Sequence, residues 1–208
     1  ADTEGGLATL LEDLKTGARE SGGDPDAMLV GLQLTHSGRW SRPLGPLAAM
    51  IPQRNPWLGR KYELGDDHPV LTDDDLKGIR DAFIAAAVIA RRVGFDFVDI
   101  KCAHGYLLHE LLGAKQRPGL YGGSFENRTR LLTEIARGIA QSCSDLHLGT
   151  RVSMIDFTPF EKTSESSVGR PMGDPADMSS WTFGIHGPED AGIAMDEATD
   201  ILALLPDL

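Results

Sequence analysis

Cysteine is nearly absent from this 208-residue chain: Cys102 and Cys143 stand about forty residues apart, with no CxxC spacing. That leaves no pattern for a zinc site, an iron–sulfur cluster or thioredoxin chemistry, and makes a reduced, cytoplasmic chain the default. Basic residues are also scarce. Twenty Lys and Arg against 31 Asp and Glu give a formal net charge of −11, which disfavours nucleic acid or an anionic membrane as a partner of the whole surface. Long apolar runs are missing too. Stretches such as Phe83 to Ala90 fall far short of the roughly 20 residues of a membrane span. The opening ADTEGG is acidic and polar, so it does not read as a secretory signal. No strand is followed by GxGxxG, which weighs against a dinucleotide-binding Rossmann sheet.

What is present is an alternation of periods. Leu7, Leu10, Leu11 and Leu14 recur at helical spacing between Gly6 and Glu20, and SGGDPD from Ser21 stops them. MLVGLQLTH from Met28 reads as a buried strand with a polar C-terminal end. A Pro- and Gly-containing excursion, 41 to 69, follows. Thr72 before three aspartates is a helix cap, Leu76, Ile79, Phe83, Ala87 and Ala90 form one face, and Gly94 ends that helix. FDFVDI from Phe95 to Ile100 is a second buried strand, finishing in the polar cluster Lys101 to His104. Ser124 caps a third helix with Leu131, Ile135 and Ile139 on its core face. Leu146 to Met154 is a third strand, with Arg151 near its end. An excursion from about Asp156 to Gly187 then precedes a final helix expected from Pro188 to about Leu205.

Strands alternating with helices predict an α/β chain with a parallel sheet, either a barrel or an open doubly wound sheet. Three strands that each end in reactive side chains favour the barrel, because barrel enzymes build their sites at those ends. A complete (β/α)8 barrel needs about 250 residues, more than this chain has.

The strings GLQLTHSGR (31–39), GFDFVDIKCAHGYLLHELL (94–112), YGGSFENRTRLL (121–132) and TRVSMIDF (150–157) resemble, in order and spacing, the successive signatures of the old yellow enzyme family, in its bacterial branch near dienoyl-CoA reductases. The resemblance implies an FMN-binding TIM barrel of which residues 1–208 are the central part, with strands three to five present and the first two and last three absent. It implies hydride transfer from NAD(P)H through FMN to a small molecule with an activated double bond. It assigns Gln33 to the flavin pyrimidine edge, Arg151 to the flavin N1–C2 edge, His104 to the substrate carbonyl and Tyr106 to proton delivery. Lys101 occupies the position where the family usually has the first histidine donor, so substrate preference is open.

Each residue also has a plainer reading. Gln33 is odd in a buried strand, since a buried amide must have partners. His36 and Arg39 read as a satisfied loop histidine and a surface cation. The plainer reading of Lys101 is a rim ion pair with Asp99 or another acid, that of Tyr106 is packing at a helix start, and that of Arg151 is a rim salt bridge. His109 has no metal role, Cys102 is a small buried thiol, Trp40 is either an edge of the substrate channel or an exposed loop aromatic with no such role, and Tyr121 to Arg128 is structural. A lyase forming a Schiff base at Lys101, or a non-catalytic remnant of the flavin fold, are the rival readings. A part-barrel exposes strand edges, so the isolated chain is expected to self-associate, dissolve poorly or belong to a longer polypeptide, and to bind FMN weakly or not at all.

Overall fold

The computed structural model describes residues 2–163, 166–185 and 192–204. Three parallel strands, β1 (Gly31–Leu34), β2 (Phe97–Cys102) and β3 (His147–Val152), pair in sequence order. Gln33 faces Asp99 in the first ladder, and Lys101 faces Arg151 in the second. Ahead of them, α1 (Thr3–Glu20) is capped by Asp2, three residues earlier than the apolar spacing suggests. The crossover from β1 to β2 carries α2 (Pro56–Lys61) and α3 (Asp73–Val93); the crossover from β2 to β3 carries α4 (Leu107–Leu112) and α5 (Phe125–Ser142).

The boundaries of α3 follow from local chemistry. Thr72 and Asp75 form a reciprocal capping box, and Gly94 closes the helix at φ 102°, which a side chain would resist. Its face Leu76, Ile79, Phe83, Ala87 and Ala90 is buried as the spacing predicts, packed with Val98 and Ile100 of β2 and Leu131, Ile135 and Ile139 of α5. Each Leu, Ile or Phe so buried contributes roughly 1.5–3 kcal/mol. Along β2 burial alternates strictly. Val98, Ile100 and Cys102 point to the helices, while Phe97, Asp99 and Lys101 share the opposite face with Gln33 and Arg151, both exposed. No described helix is long and apolar enough to cross a membrane.

Two loops hold more order than their composition announces. Beyond β3, β4 (Phe160–Thr163) and β5 (Ser166–Pro171) form an antiparallel pair, followed by the short α6 (Pro175–Met178). Arg60 and Lys61 at the end of α2 donate to the carbonyls of Met172 and Phe160, so this hairpin is tied back over the sheet end. The last helix is shorter than expected: α7 spans Asp196–Leu204. Residues 192–195 are not helical, because Ile193 bridges Ile185; Pro188 and Leu205 lie outside the described residues. The YGGSFENR segment is an anchor, as expected. Ser124 caps α5, and Arg128 donates to the carbonyls of Leu112 and Gly123 and pairs with Glu197 of α7.

Candidate active site

The C-terminal ends of β2 and β3 carry a compact group of side chains. Ala103 to Tyr106 make a tight turn closed by Tyr106 N–H donating to the Ala103 carbonyl at 3.2 Å. Its two central residues, His104 and Gly105, have φ values of 62° and 68°, the pattern of a type I′ turn. Glycine accepts this freely, but for His104 it costs about 1–2 kcal/mol. Strain of this kind persists where the surroundings over-determine it, and here they do. The backbone N–H of His104 donates to Ser153 Oγ (3.1 Å), that of Gly105 to His109 Nδ1 (2.8 Å), and Trp40 Nε1 donates to the Gly105 carbonyl (3.2 Å).

Around this turn the structure gathers Lys101, His104, Tyr106 and Arg151. Lys101 Nζ lies 3.9 Å from the centroid of the Tyr106 ring, a cation–π contact, and Tyr106 is the N-cap residue of α4. Among the described residues neither Lys101 nor Arg151 has a carboxylate partner. Lys101 forms no rim pair with Asp99, whose carboxylate accepts from Gln33 Nε2 at 2.6 Å. His104, although exposed, is held below the ordinary histidine value, first by loss of hydration and then by Arg151, Lys101 and His109. It is therefore neutral near pH 7 and offers one ring N–H as a donor.

Gln33 joins this face from β1 and is exposed, not buried as its apolar neighbours suggest: strand alternation turns it away from the helices. Cys102, on the helix side, is fully buried, and burial pushes its thiol well above the ordinary range. Arg39 is likewise not the surface cation expected. It is 1% exposed, paired with buried Glu110 of α4 and donating to the Gln53 carbonyl. His36 is a satisfied loop histidine, its Nδ1 accepting from Gly38 N–H.

Beside the turn opens a cavity of about 420 Å3, walled by Trp40, Tyr62, Phe157, Phe160 and Trp181 and reaching His104, His109 and Asp156. His109 and Asp156 are the residues that sequence reasoning missed. His109 is 3% exposed; with Nδ1 accepting from Gly105, its proton sits on Nε2, 3.3 Å from Asp156 Oδ1 but without good hydrogen-bond geometry. Asp156 Oδ2 accepts from Phe183 N–H, and burial raises its carboxyl against the pull of His109. The available signal was the pair His109–Glu110 inside LLHELL, a helix buried all round in which two polar residues need partners. Trp40 has a wall to build after all, stacking edge-on against Tyr62 at 4.8 Å.

Such a site can donate hydrogen bonds to an oxygen through Lys101 and His104, offer a phenol proton from Tyr106, and present a fixed cation at Arg151. Comparison with known proteins gives a consistent picture. Residues 27–170 match the family model described as NADH:flavin oxidoreductase / NADH oxidase. The NADPH dehydrogenase of Bacillus pumilus is 35% identical over 156 residues, 74% of this chain and 41% of that protein. An Old Yellow Enzyme from a Pichia species shares the fold over 96% of this chain and 47% of its own, with TM-score 0.64 at 21% identity. Morphinone reductase in complex with tetrahydroNAD is 26% identical, with TM-score 0.54 over 73% of this chain and 44% of its own. The chain spans less than half the length of curated relatives that it matches, 29% of an NADH:flavin oxidoreductase from Gibberella zeae and 46% of the NADPH dehydrogenase from Clostridium acetobutylicum.

Proposed function

The chain belongs to the NADH:flavin oxidoreductase / NADH oxidase family, and from that premise we propose that it is the central part of an FMN-dependent oxidoreductase passing hydride from NAD(P)H to an alkene activated by a carbonyl group. The observation that carries this reading is the convergence, at the C-terminal ends of β2 and β3, of Lys101, His104 and Arg151 without carboxylate partners among the described residues, next to Tyr106. Parallel α/β enzymes place their chemistry at that end of the sheet. The sheet is read as strands three to five of a (β/α)8 barrel, and the share of the relatives' length that the chain covers supports that reading. The NADPH dehydrogenase relatives and the tetrahydroNAD complex of morphinone reductase support a nicotinamide electron source.

The residues present fit one edge of FMN. Asp99 engages the Gln33 amide N–H2, leaving Gln33 Oε1 as an acceptor, while Arg151 is an exposed cation on the same open face. Gln33 and Arg151 would hold that edge. FMN, when bound, would supply two-electron hydride chemistry, and the fixed positive charge of Arg151 would favour negative charge at that edge. Lys101 and neutral His104 bind and polarise the carbonyl oxygen of the substrate. Tyr106 delivers its hydroxyl proton to the carbon next to that carbonyl. The aromatic cavity beside His104 takes the apolar body of the substrate.

The test is the visible spectrum of the full protein that carries these residues, before and after anaerobic NADPH or NADH. Flavin bands that bleach are the expected result, and Tyr106→Phe should still bleach while losing about 10²–10⁴-fold in enone turnover. A colourless protein that FMN cannot reconstitute would overturn the reading.

A further inference from the structure

We propose that Lys101 makes the substrate site selective for an organic anion, so that the substrate is an unsaturated molecule bearing a carboxylate. The inference rests on the flavin reading above, in which Arg151 serves the cofactor and Lys101 the substrate. Its basis is a surplus of charge. Lys101 and Arg151 are register partners on neighbouring parallel strands, about 4.8 Å apart at the backbone and on one face. Like charges placed opposite one another destabilise a sheet. In a chain of net charge −11, acids are plentiful, yet none among the described residues forms an ion pair with Lys101 or Arg151. Asp99, on the same face, accepts from the Gln33 amide at 2.6 Å and forms no ion pair with either cation.

One cation suffices for the flavin edge, which leaves the second to meet a charge on the other ligand. Lys101 is placed for it: its ammonium lies 3.9 Å from the Tyr106 ring centroid, beside the proposed proton donor, and its field reaches His104. The adjoining cavity does not oppose an anion. Its two acidic lining residues are both engaged, Glu110 by the Arg39 guanidinium and Asp156 by the Phe183 N–H. The aromatic walls suit an apolar body joined to the charged group.

Benzoate and benzamide, equal in size and different in charge, test this by equilibrium titration of the FMN-loaded protein. Benzoate should bind tighter by about tenfold to a hundredfold, the range of a charge-assisted hydrogen bond. Lys101→Met should remove that preference by weakening benzoate alone, with FMN affinity unchanged. Equal binding of the two probes by the unaltered protein overturns the proposal. So does a Lys101→Met protein that loses FMN as strongly as benzoate, since the charge then serves the flavin. Should the protein take up no FMN, the flavin reading fails by itself; the benzoate preference and its loss in Lys101→Met are then required of the flavin-free protein.

Discussion

Arg39 and Glu110 tie the loop after β1 to α4, and Glu110 lines the same cavity as the turn at His104. Their side chains are 1% and 4% exposed, Arg39 donates through Nε and Nη2 to the two carboxylate oxygens, and Nη2 also donates to the Gln53 carbonyl at 3.1 Å. Burial acts to raise the Glu110 carboxyl and Arg39 opposes it. Removing either partner leaves the other charge buried and alone, at a cost of about 3–5 kcal/mol. Against a total of about 5–15 kcal/mol for a domain, Arg39→Met or Glu110→Met is therefore severe. Changing both to Met removes both charges and keeps most of the volume. What remains is the Gln53 carbonyl without its donor, about 1–3 kcal/mol, since the Gln53 amide bonds the backbone carbonyl of residue 110 and keeps it. The double variant should thus be more stable than either single one. Urea titration with unchanged slope measures all three. Single costs below about 1 kcal/mol, or a double cost equal to the sum of the singles, would refute the reasoning.

Two further outcomes are expected. Gly122→Ala places a Cβ 2.3 Å from the Arg117 carbonyl oxygen, and Arg117 cannot retreat because its guanidinium is fixed to the Pro52 and Leu71 carbonyls and to Asp73; a loss of about 1–3 kcal/mol in urea titration checks it, and no change would sink it. Asp156 has its folded carboxyl raised above 3.8, so the native state binds the extra proton; its contribution is fully present below that value and is lost as pH rises through the raised one. Asp156→Asn should therefore lose less stability than the unaltered protein when pH is raised across that window, and equal pH slopes would contradict the assignment.

How much of this was legible in the sequence depends on what each signal measures. Apolar spacing reports which face of an element meets a neighbour, and α3 and α5 emerged with the expected faces because burial decided them, whereas β2, read as a buried strand ending at Ile100, buries only alternate residues and runs on through Lys101 to Cys102. The hairpin β4–β5 escaped because its strands carry little apolar alternation: Phe160 and Val168 are both exposed, and pairing there rests on backbone bonds and on Arg60 and Lys61 from a distant helix. Polar residues were harder still. Arg39 and Gln33 were misjudged in opposite directions, one buried and one exposed, because a polar residue's burial depends on a partner that spacing does not name. Glu110, 71 residues from Arg39, supplies it in one case, and the helix-free face of the sheet removes the need in the other.

The turn at His104 shows where local rules and site chemistry part. Propensity alone would put Asn or Gly at the first left-handed position, and composition would surround Lys101 and Arg151 with some of the 31 acids. Neither happens. A strained histidine, its turn held by Ser153, His109 and Trp40, sits beside two cations that have no ion-pair partner among the described residues. Folding stability gains nothing from strain or repulsion, so their coincidence is best accounted for by the ligands that the site receives. On the flavin proposal, Lys101, Arg151 and His104 together would receive negative charge, with the Tyr106 ring 3.9 Å from the lysine ammonium.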